Sequence, residues 1–503
     1  MSAESQSSLK QDARGAVPYA VLSGGLQIVL SLVGMLLLVR YLPPESYGKW
    51  VLMLGFAVPV ILIASMGYRN SLLRFLPTLD EKVERAAFLW SVLFRRGGVA
   101  LLVCIVLGLT FPIYSGWIGI SDQWRVFLFM LPGFIFTETC HYLIIGLNSS
   151  FRQREVFIGS FLFQSVTVAS VVAGIQLELG LLYFAAVYSA STLVHLAFNF
   201  AAVSYHIGPP RFEFVRSRHV EDSAERRYRR ASFIDDLGNG LLTSDINRFI
   251  LAGVSSSAQV AIFAVASNIV FKLSSLLPLF LFRPLITVIF FRRYEESESR
   301  AELNRMFGFV WTLNRLVTNA ALILFVPLGY QLLVWVFRAD YGNAYVPILV
   351  LLFSKGFLFM PVGVVAQVVR KPEWLVYSKL AVLVNFGLGI PMSMKYGATG
   401  MAVVAALSEL VKGLIVFVLL KKNFQLRYPW RSSLRFLLAG AGVATVIAWL
   451  ETFLPLLVAG AIGAVGWLVV IRFCGVLTKD ERGLLMGITP DRFQPLLRVF
   501  VKP

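Results

Sequence analysis

Eight basic residues lie inside long apolar runs of this chain: Arg248, Lys272, Arg283, Arg315, Lys355, Lys379, Lys412 and Arg435. A charge at the centre of a bilayer-length helix costs roughly 2.5–3.5 kcal/mol on insertion scales, so such residues face a partner or an aqueous cavity. Counted from the ends of their runs, Arg248, Lys272, Arg315 and Lys355 are the deepest. Lys and Arg form charge-assisted hydrogen bonds with phosphate oxygens, and Arg can do so bidentately. The set, with Lys412, is therefore suited to holding an anionic group away from bulk water. Arg69 and Arg74, just after the second apolar run, add a cationic ring at one mouth.

Acidic and imidazole groups also fall inside the runs. Glu138 and His141 stand three residues apart, and His195 lies in a later run. A carboxylate–imidazole pair can bind or relay a proton, because His titrates near neutrality. Asp245 and Glu409 precede Arg248 and Lys412 by the same interval and join the candidates for ion coupling. The plainer expectation is that each of these pairs satisfies itself along its own helix. Likewise Arg283, Lys379 and Arg435, near the ends of runs, are expected to snorkel to the interface. No third ligand at a recognisable spacing accompanies any pair, so no metal is expected. There is no Walker loop and no nucleophile with a base in reach, so no cofactor, no catalytic residue and no enzymatic activity are expected.

The elements that position these groups follow from composition. Of 503 residues, 57% are hydrophobic and only 15% charged, with a mean hydropathy of +0.73, whereas soluble domains carry about 25% charged residues. The apolar residues arrive in blocks of about 20, the length that spans a bilayer. These features exclude a soluble enzyme, a disulfide scaffold, a disordered chain and a nucleic-acid binder. They predict an all-α polytopic membrane protein with about 14 transmembrane helices near 16–39, 49–67, 97–113, 126–146, 156–176, 181–204, 236–254, 259–289, 307–334, 344–368, 374–394, 399–420, 433–450 and 454–473. Residues 70–96 read as an amphipathic segment lying at the interface. The first apolar run reads as a retained helix rather than a cleaved signal. With the N-terminus inside, 33 of the 46 Lys and Arg fall in cytoplasmic segments and five in outer ones. That asymmetry places both termini in the cytoplasm, and it explains the formal charge of +18 without nucleic acid. The cysteines Cys104, Cys140 and Cys474 lie in apolar stretches without CxxC spacing, so disulfides are not expected.

The longest polar break, with seven arginines between 205 and 232, divides the chain. The expected organisation is a six-helix lobe at 1–204, a basic linker at 205–235, a second six-helix lobe at 236–432, a helix pair at 433–474 and a cytoplasmic tail at 475–503. The lobes look related: at an interval of 217, Gly180 meets Gly397, Ser191 meets Ser408 and His195 meets Lys412. A repeat of six spans preserves orientation and implies a parallel pseudo-two-fold axis along the membrane normal.

Four stretches carry a family resemblance. Residues 36–77 hold an R-x-L-x-x-x-x-Y-G turn at Arg40, Leu42, Tyr47 and Gly48, followed by Gly67, Arg69 and Arg74. The others are 245–269, in which Ala261 replaces the usual turn glycine, 341–353, and 385–411 with Asn385, Pro391, Gly397 and Gly400. In these the chain resembles the polysaccharide transporter branch of the multidrug/oligosaccharidyl-lipid/polysaccharide exporter superfamily, the O-antigen and exopolysaccharide flippases. The resemblance implies two lobes, alternating access in a bacterial inner membrane, and translocation of a polyprenyl-diphosphate-linked glycan. Its partners would be that glycan, membrane lipids and other polysaccharide assembly proteins, with a monomer favoured. A cation-coupled multidrug exporter, a lipid II flippase and a non-transporting subunit of a polysaccharide synthase are the alternatives.

Overall fold

The computed structural model describes residues 25–211, 223–275, 294 and 299–473, apart from 80, 359, 361, 370 and 372. Arg283, Cys474 and the tail 475–503 lie outside the described residues, as does the start of the first span. Every regular element among the described residues is helical. Among the described residues, nine helices are long and apolar enough to cross a membrane, and two shorter apolar ones are Gly25–Tyr41 and Leu456–Ile471. The chain forms two compact units, Met1–Ala261 and Ile262–Pro503.

In the first unit, α1 (Gly25–Tyr41) is followed by α2 (Pro44–Gly55) and α3 (Ala57–Ser65). Pro44 occupies the first position of α2, where its missing N–H costs nothing and its fixed φ suits the helix. The Tyr47–Gly48 motif is a packing seat. Tyr47 is buried, and a Cβ on Gly48 would sit 1.9 Å from the carbonyl oxygen of Ser257. At the far end of α3, Met66 (φ 45°) and Gly67 (φ 79°) are both left-handed, which stops the helix and turns the chain into α4 (Tyr68–Phe75).

The long helices α5 (Lys82–Leu109), α7 (Trp124–Ser149), α8 (Gln153–Gln176) and α9 (Leu181–His206) follow, with the short α6 (Phe111–Ser115) in the turn after α5. Helix α7 packs on α5, α8 and α9. The interfacial segment expected over 70–96 is corrected here. Only α4 stands apart, while Lys82 onward is the first half of one continuous helix. The reason is burial: Phe88, Leu89, Trp90 and Leu93 enter a core with Tyr142, Leu143 and Val203, and the Trp90 indole donates to the Gly208 carbonyl at 2.9 Å.

Part of the basic linker is helical. Helix α10 (Ser223–Gly240) packs on α3 and α4, tied by Ser71 Oγ donating to Glu225 (2.7 Å) and Asn70 Nδ2 to Asp236 (2.8 Å). The span expected at 236–254 is therefore broken. The sequence Gly238-Asn239-Gly240 has low helix propensity, and Thr243 restarts the chain by accepting from the Ile246 N–H at the head of α11 (Ser244–Ala252). Helix α12 (Ser257–Ser275) follows and carries the boundary between units.

The second unit is built on α13 (Arg300–Val336), capped by Ser299. Helix α14 (Tyr345–Phe353) runs into a π-helical turn, Ser354–Leu358, before α15 (Val362–Val368), so the span expected at 344–368 is interrupted. After α16 (Glu373–Tyr377), α17 (Ala381–Phe424) contains two legs joined at Gly397, whose φ of 55° and ψ of −133° are non-helical. The legs touch: Ser408 donates to Asn385 at 3.4 Å, and a Cβ on Gly400 would meet the Met392 carbonyl oxygen at 2.0 Å. These legs are the spans expected at 374–394 and 399–420. Helices α18 (Trp430–Leu450) and α19 (Leu456–Phe473) complete the unit. Gly463 lets Ile447 of α18 approach α19, and Gly460 faces Leu328 of α13. The small residues of α19 thus serve packing inside the chain.

The Gly48 seat gives a stability test. Gly48→Ala drives a Cβ into backbone and should cost about 1–3 kcal/mol, read as a lower Tm of the purified protein in detergent. Gly98, whose Cβ would meet nothing within 4 Å, should tolerate the same change and gain up to ~1 kcal/mol of helix propensity.

Candidate functional site

The ionisable residues fall into separate clusters, each within one unit. In the second unit, Lys355 stands on the π-helical turn after α14, a type of distortion frequent at functional sites. Its Nζ lies 3.6 Å from Glu409 Oε1 on α17, with the two side chains 28% and 23% exposed. Lys412, one turn along α17, and Lys379, in the short 3-10 turn Ser378–Leu380 before it, are further electrostatic neighbours of Glu409. Three ammonium groups on partly exposed side chains thus lie in electrostatic reach of the Glu409 carboxylate. The pairing expected between Glu409 and Lys412 along one helix gives way to a contact across helices with Lys355. Lys379, expected to snorkel, is half-buried beside the same carboxylate. Neither was legible from spacing, because the interrupted span that carries Lys355 was read as continuous.

Arg315 is placed differently. It is 2% exposed in the core of the second unit. One Nη donates to the Tyr428 hydroxyl at 2.6 Å and to the Phe357 carbonyl at 3.0 Å. Its guanidinium lies 3.6 Å from the Trp311 ring centroid and 4.6 Å from that of Phe357. This aromatic box belongs to a core with Phe307, Val416 and Phe436. A planar, weakly hydrated guanidinium suits it as an ammonium would not. The Tyr428 and Trp311 contacts carried no sequence signal, since 113 residues separate Arg315 from Tyr428.

In the first unit, Arg248 is buried and donates to Asp245 at 2.5 Å, as the spacing of three predicted. Lys272, half-buried on α12, lies in the second unit. Arg69 is half-buried and Arg74 exposed on α4. The Arg74 guanidinium covers the Tyr228 ring of α10 at 4.5 Å. On its other side, Tyr68 lies between Arg96 and Arg229, at 4.4 and 4.3 Å from their guanidinium carbons. These stacked contacts hold part of the basic linker to α4.

Glu138 and His141 of α7 meet at 3.7 Å between Oε2 and Nδ1, too long for a hydrogen bond. His195 of α9 is an electrostatic neighbour of His141 and stacks on Phe163 at 5.0 Å. Spacing predicted the first pair, whereas the approach of His195 needed the packing of α7 on α9.

The two kinds of cation in the second unit separate by experiment. Tyr428→Phe removes a hydrogen bond to a charged group and should cost about 1.5–3 kcal/mol of stability. Lys412→Gln, at a partly exposed position, should change stability by no more than about 0.5 kcal/mol. Thermal unfolding of the two purified variants checks both values.

Comparison with known proteins completes the description. The sequence pattern of the family described as "Polysaccharide biosynthesis protein" matches residues 16–290. No curated protein matches the sequence. Among solved structures, the lipid II flippase MurJ in an inward closed conformation is similar with a TM-score of 0.73 at 12% identity, covering 93% of this chain and 99% of its own. An inward-facing multidrug resistance MATE family transporter of the MOP superfamily gives 0.61 at 14% identity, covering 81% of this chain and 98% of its own. A MATE protein in complex with MaL6 gives 0.55 at 12%, covering 82% and 96%. At these identities the likeness is one of fold. With its sequence pattern matched over 16–290, the chain belongs to the polysaccharide biosynthesis protein family, and its fold is like that of these transport proteins.

Proposed function

We propose that this protein is a membrane transporter, a flippase that moves a polyprenyl-diphosphate-linked oligosaccharide from the cytoplasmic to the outer leaflet of a bacterial inner membrane by alternating access. The observation that carries this reading is the cationic cluster of the second unit, where Lys355, Lys379 and Lys412 surround a single carboxylate, Glu409. A diphosphate needs several donors of positive charge at once, and ammonium groups supply them without fixed geometry. Glu409 keeps the ammonium groups compensated in a poorly solvated place until an anionic ligand takes part of its role. The glycan is the ligand, the polyprenyl tail stays among membrane lipids, and other assembly proteins of the same polysaccharide are its partners. Both termini face the cytoplasm in this reading, and the chain acts as a monomer. Lys272 of the second unit, and separately Arg69 and Arg74 of the first, are the further candidates for contact with the head group in this reading. A family of polysaccharide biosynthesis proteins supports this substrate over a cationic drug, as does an excess of intramembrane positive charge.

The test is depletion in the native host, complemented with wild type or with Lys355, Lys379 and Lys412 replaced together by Gln. The triple variant should reach normal abundance yet leave one surface glycan missing and its lipid-linked precursor accumulated on the cytoplasmic leaflet. Accumulation of lipid II instead would assign the lipid II flippase. Unchanged lipid carriers with new sensitivity to cationic drugs would assign the multidrug exporter.

A further inference from the structure

Lys355 meets Glu409 from an unusual stretch of backbone. It lies in the π-helical turn Ser354–Leu358, between Ser354 and Gly356, both buried, while its own side chain is 28% exposed. The sequence contains a reason for the wide turn. Four residues after Phe357 stands Pro361, which has no N–H to offer the Phe357 carbonyl and whose ring would clash with that carbonyl in a continued α-helix. The carbonyl is met by donors from elsewhere in the second unit. Arg315 Nη2 of α13 donates to it at 3.0 Å, and the Tyr428 hydroxyl, in the link between α17 and α18, donates to it at 3.4 Å. The same Nη2 also donates to the Tyr428 oxygen at 2.6 Å, so guanidinium, phenol and carbonyl close a triangle. The turn lies close on α13 as well: a Cβ on Gly356 would meet Leu322 Cδ1 at 3.2 Å and Thr318 Oγ1 at 3.4 Å.

We infer that Arg315 and Tyr428 are positioning residues, which hold the π-helical turn by its Phe357 carbonyl and thereby keep the Lys355 ammonium against Glu409. One residue inserted into a helix turns the side chains on one side of it by roughly 100° relative to those on the other. Closing the turn as an α-helix therefore takes Lys355 away from its carboxylate. A carbonyl held by a guanidinium resists that change, because hydrogen bonds from ionised donors are stronger than neutral ones. The guanidinium is itself fixed by the rings of Trp311 and Phe357, at 3.6 and 4.6 Å from their centroids, and the second ring belongs to the turn. Lys412 on α17 and Lys379 just before it lie outside this contact, so the triangle governs one ammonium group of the three. The positioning is a property of the second unit alone, whereas its consequence for transport rests on the flippase reading above.

The test is a zero-length cross-link in the purified full-length protein in nanodiscs. A membrane-permeant carbodiimide joins an amine to a carboxylate only where the two are in contact, and peptide mass spectrometry reads the yield of the Lys355–Glu409 link. Tyr428→Phe should lower that yield several-fold. Arg315→Lys, which keeps the positive charge but not the planar fork, should lower it as well. Links from Glu409 to Lys412 or Lys379 should stay at the wild-type level. Gly48→Ala, which weakens packing in the first unit, should keep the Lys355 link and so separates positioning from a general loss of stability. If Arg315→Lys does not fold, Tyr428→Phe decides alone. A Lys355 yield that is the same in wild type and variants, or a fall shared by all three lysines or by Gly48→Ala, overturns the positioning role and leaves the flippase reading standing. In the native host, Tyr428→Phe at normal abundance should reduce the surface glycan that the triple lysine variant abolishes. Loss of the link together with a surface glycan indifferent to the triple variant sinks the flippase reading and leaves the positioning role.

Discussion

Everything in this molecule is arranged around one constraint: a charge carried into a helix bundle in lipid must find its compensation among the same helices. Hydration is unavailable there, and an uncompensated charge would favour expulsion of its helix. The chain meets the constraint in three ways. Arg248 takes a carboxylate one turn away on its own helix. Lys355 takes one from a neighbouring helix. Arg315 takes no carboxylate within ion-pairing range among the described residues and is held by a phenol, a carbonyl and two aromatic faces. Each solution ties a particular pair of elements together, so compensation of charge and choice of packing partner are one problem.

The same economy operates at the edge of the first unit, where water is present but the linker has little apolar surface of its own. Helix α10 is rich in arginine, and a solvated basic segment gains little from surface ion pairs. It docks instead by stacking guanidinium groups on rings, Arg229 on Tyr68 and Arg74 on Tyr228, with Ser71 and Asn70 supplying hydrogen bonds to its acidic residues. Gly67 permits this approach, since a Cβ there would lie 2.3 Å from the Arg229 carbonyl oxygen. The conformation that ends α3 and the contact that fixes α10 are therefore served by one residue.

Much of this was legible in the sequence, for reasons that can be traced to particular residues. Helical spans were visible because the period and length of apolar runs are set by the bilayer. The turn at Gly397 was visible as the break between the apolar runs 374–394 and 399–420. The Asp245–Arg248 pair was visible because partners three residues apart share a helix face. What stayed hidden depended on distance along the chain. The interruptions near Gly240 and at Ser354–Leu358 sit inside runs apolar enough to read as continuous. Residues 82–96 look amphipathic in isolation because their charged members, Lys82, Glu84, Arg85, Arg95 and Arg96, flank the apolar ones. Only the core formed with α7 and α9 shows why they belong to a long helix. The Arg315 box and the His141–His195 approach needed the tertiary fold, since no local pattern encodes a partner on another helix.

The most buried of the second unit's candidate cations is thus not the best placed for a ligand that must come and go. Binding that is part of a transport cycle exchanges one set of partners for another, and the exchange is easy only where water or a mobile counter-charge can stand in during the change. Arg315, at 2% exposure, would have to leave Tyr428, the Phe357 carbonyl and the Trp311 face before it could receive an anion. It would break core packing to do so. Lys355, at 28% exposure and 3.6 Å from a carboxylate, gives up only a long, partly exposed ion pair. Its ammonium can rotate toward a phosphate while Glu409 remains beside Lys412 and Lys379. Burial therefore sorts the cations of the second unit. The guanidinium holds the helices in place, and the ammonium groups are free to trade partners.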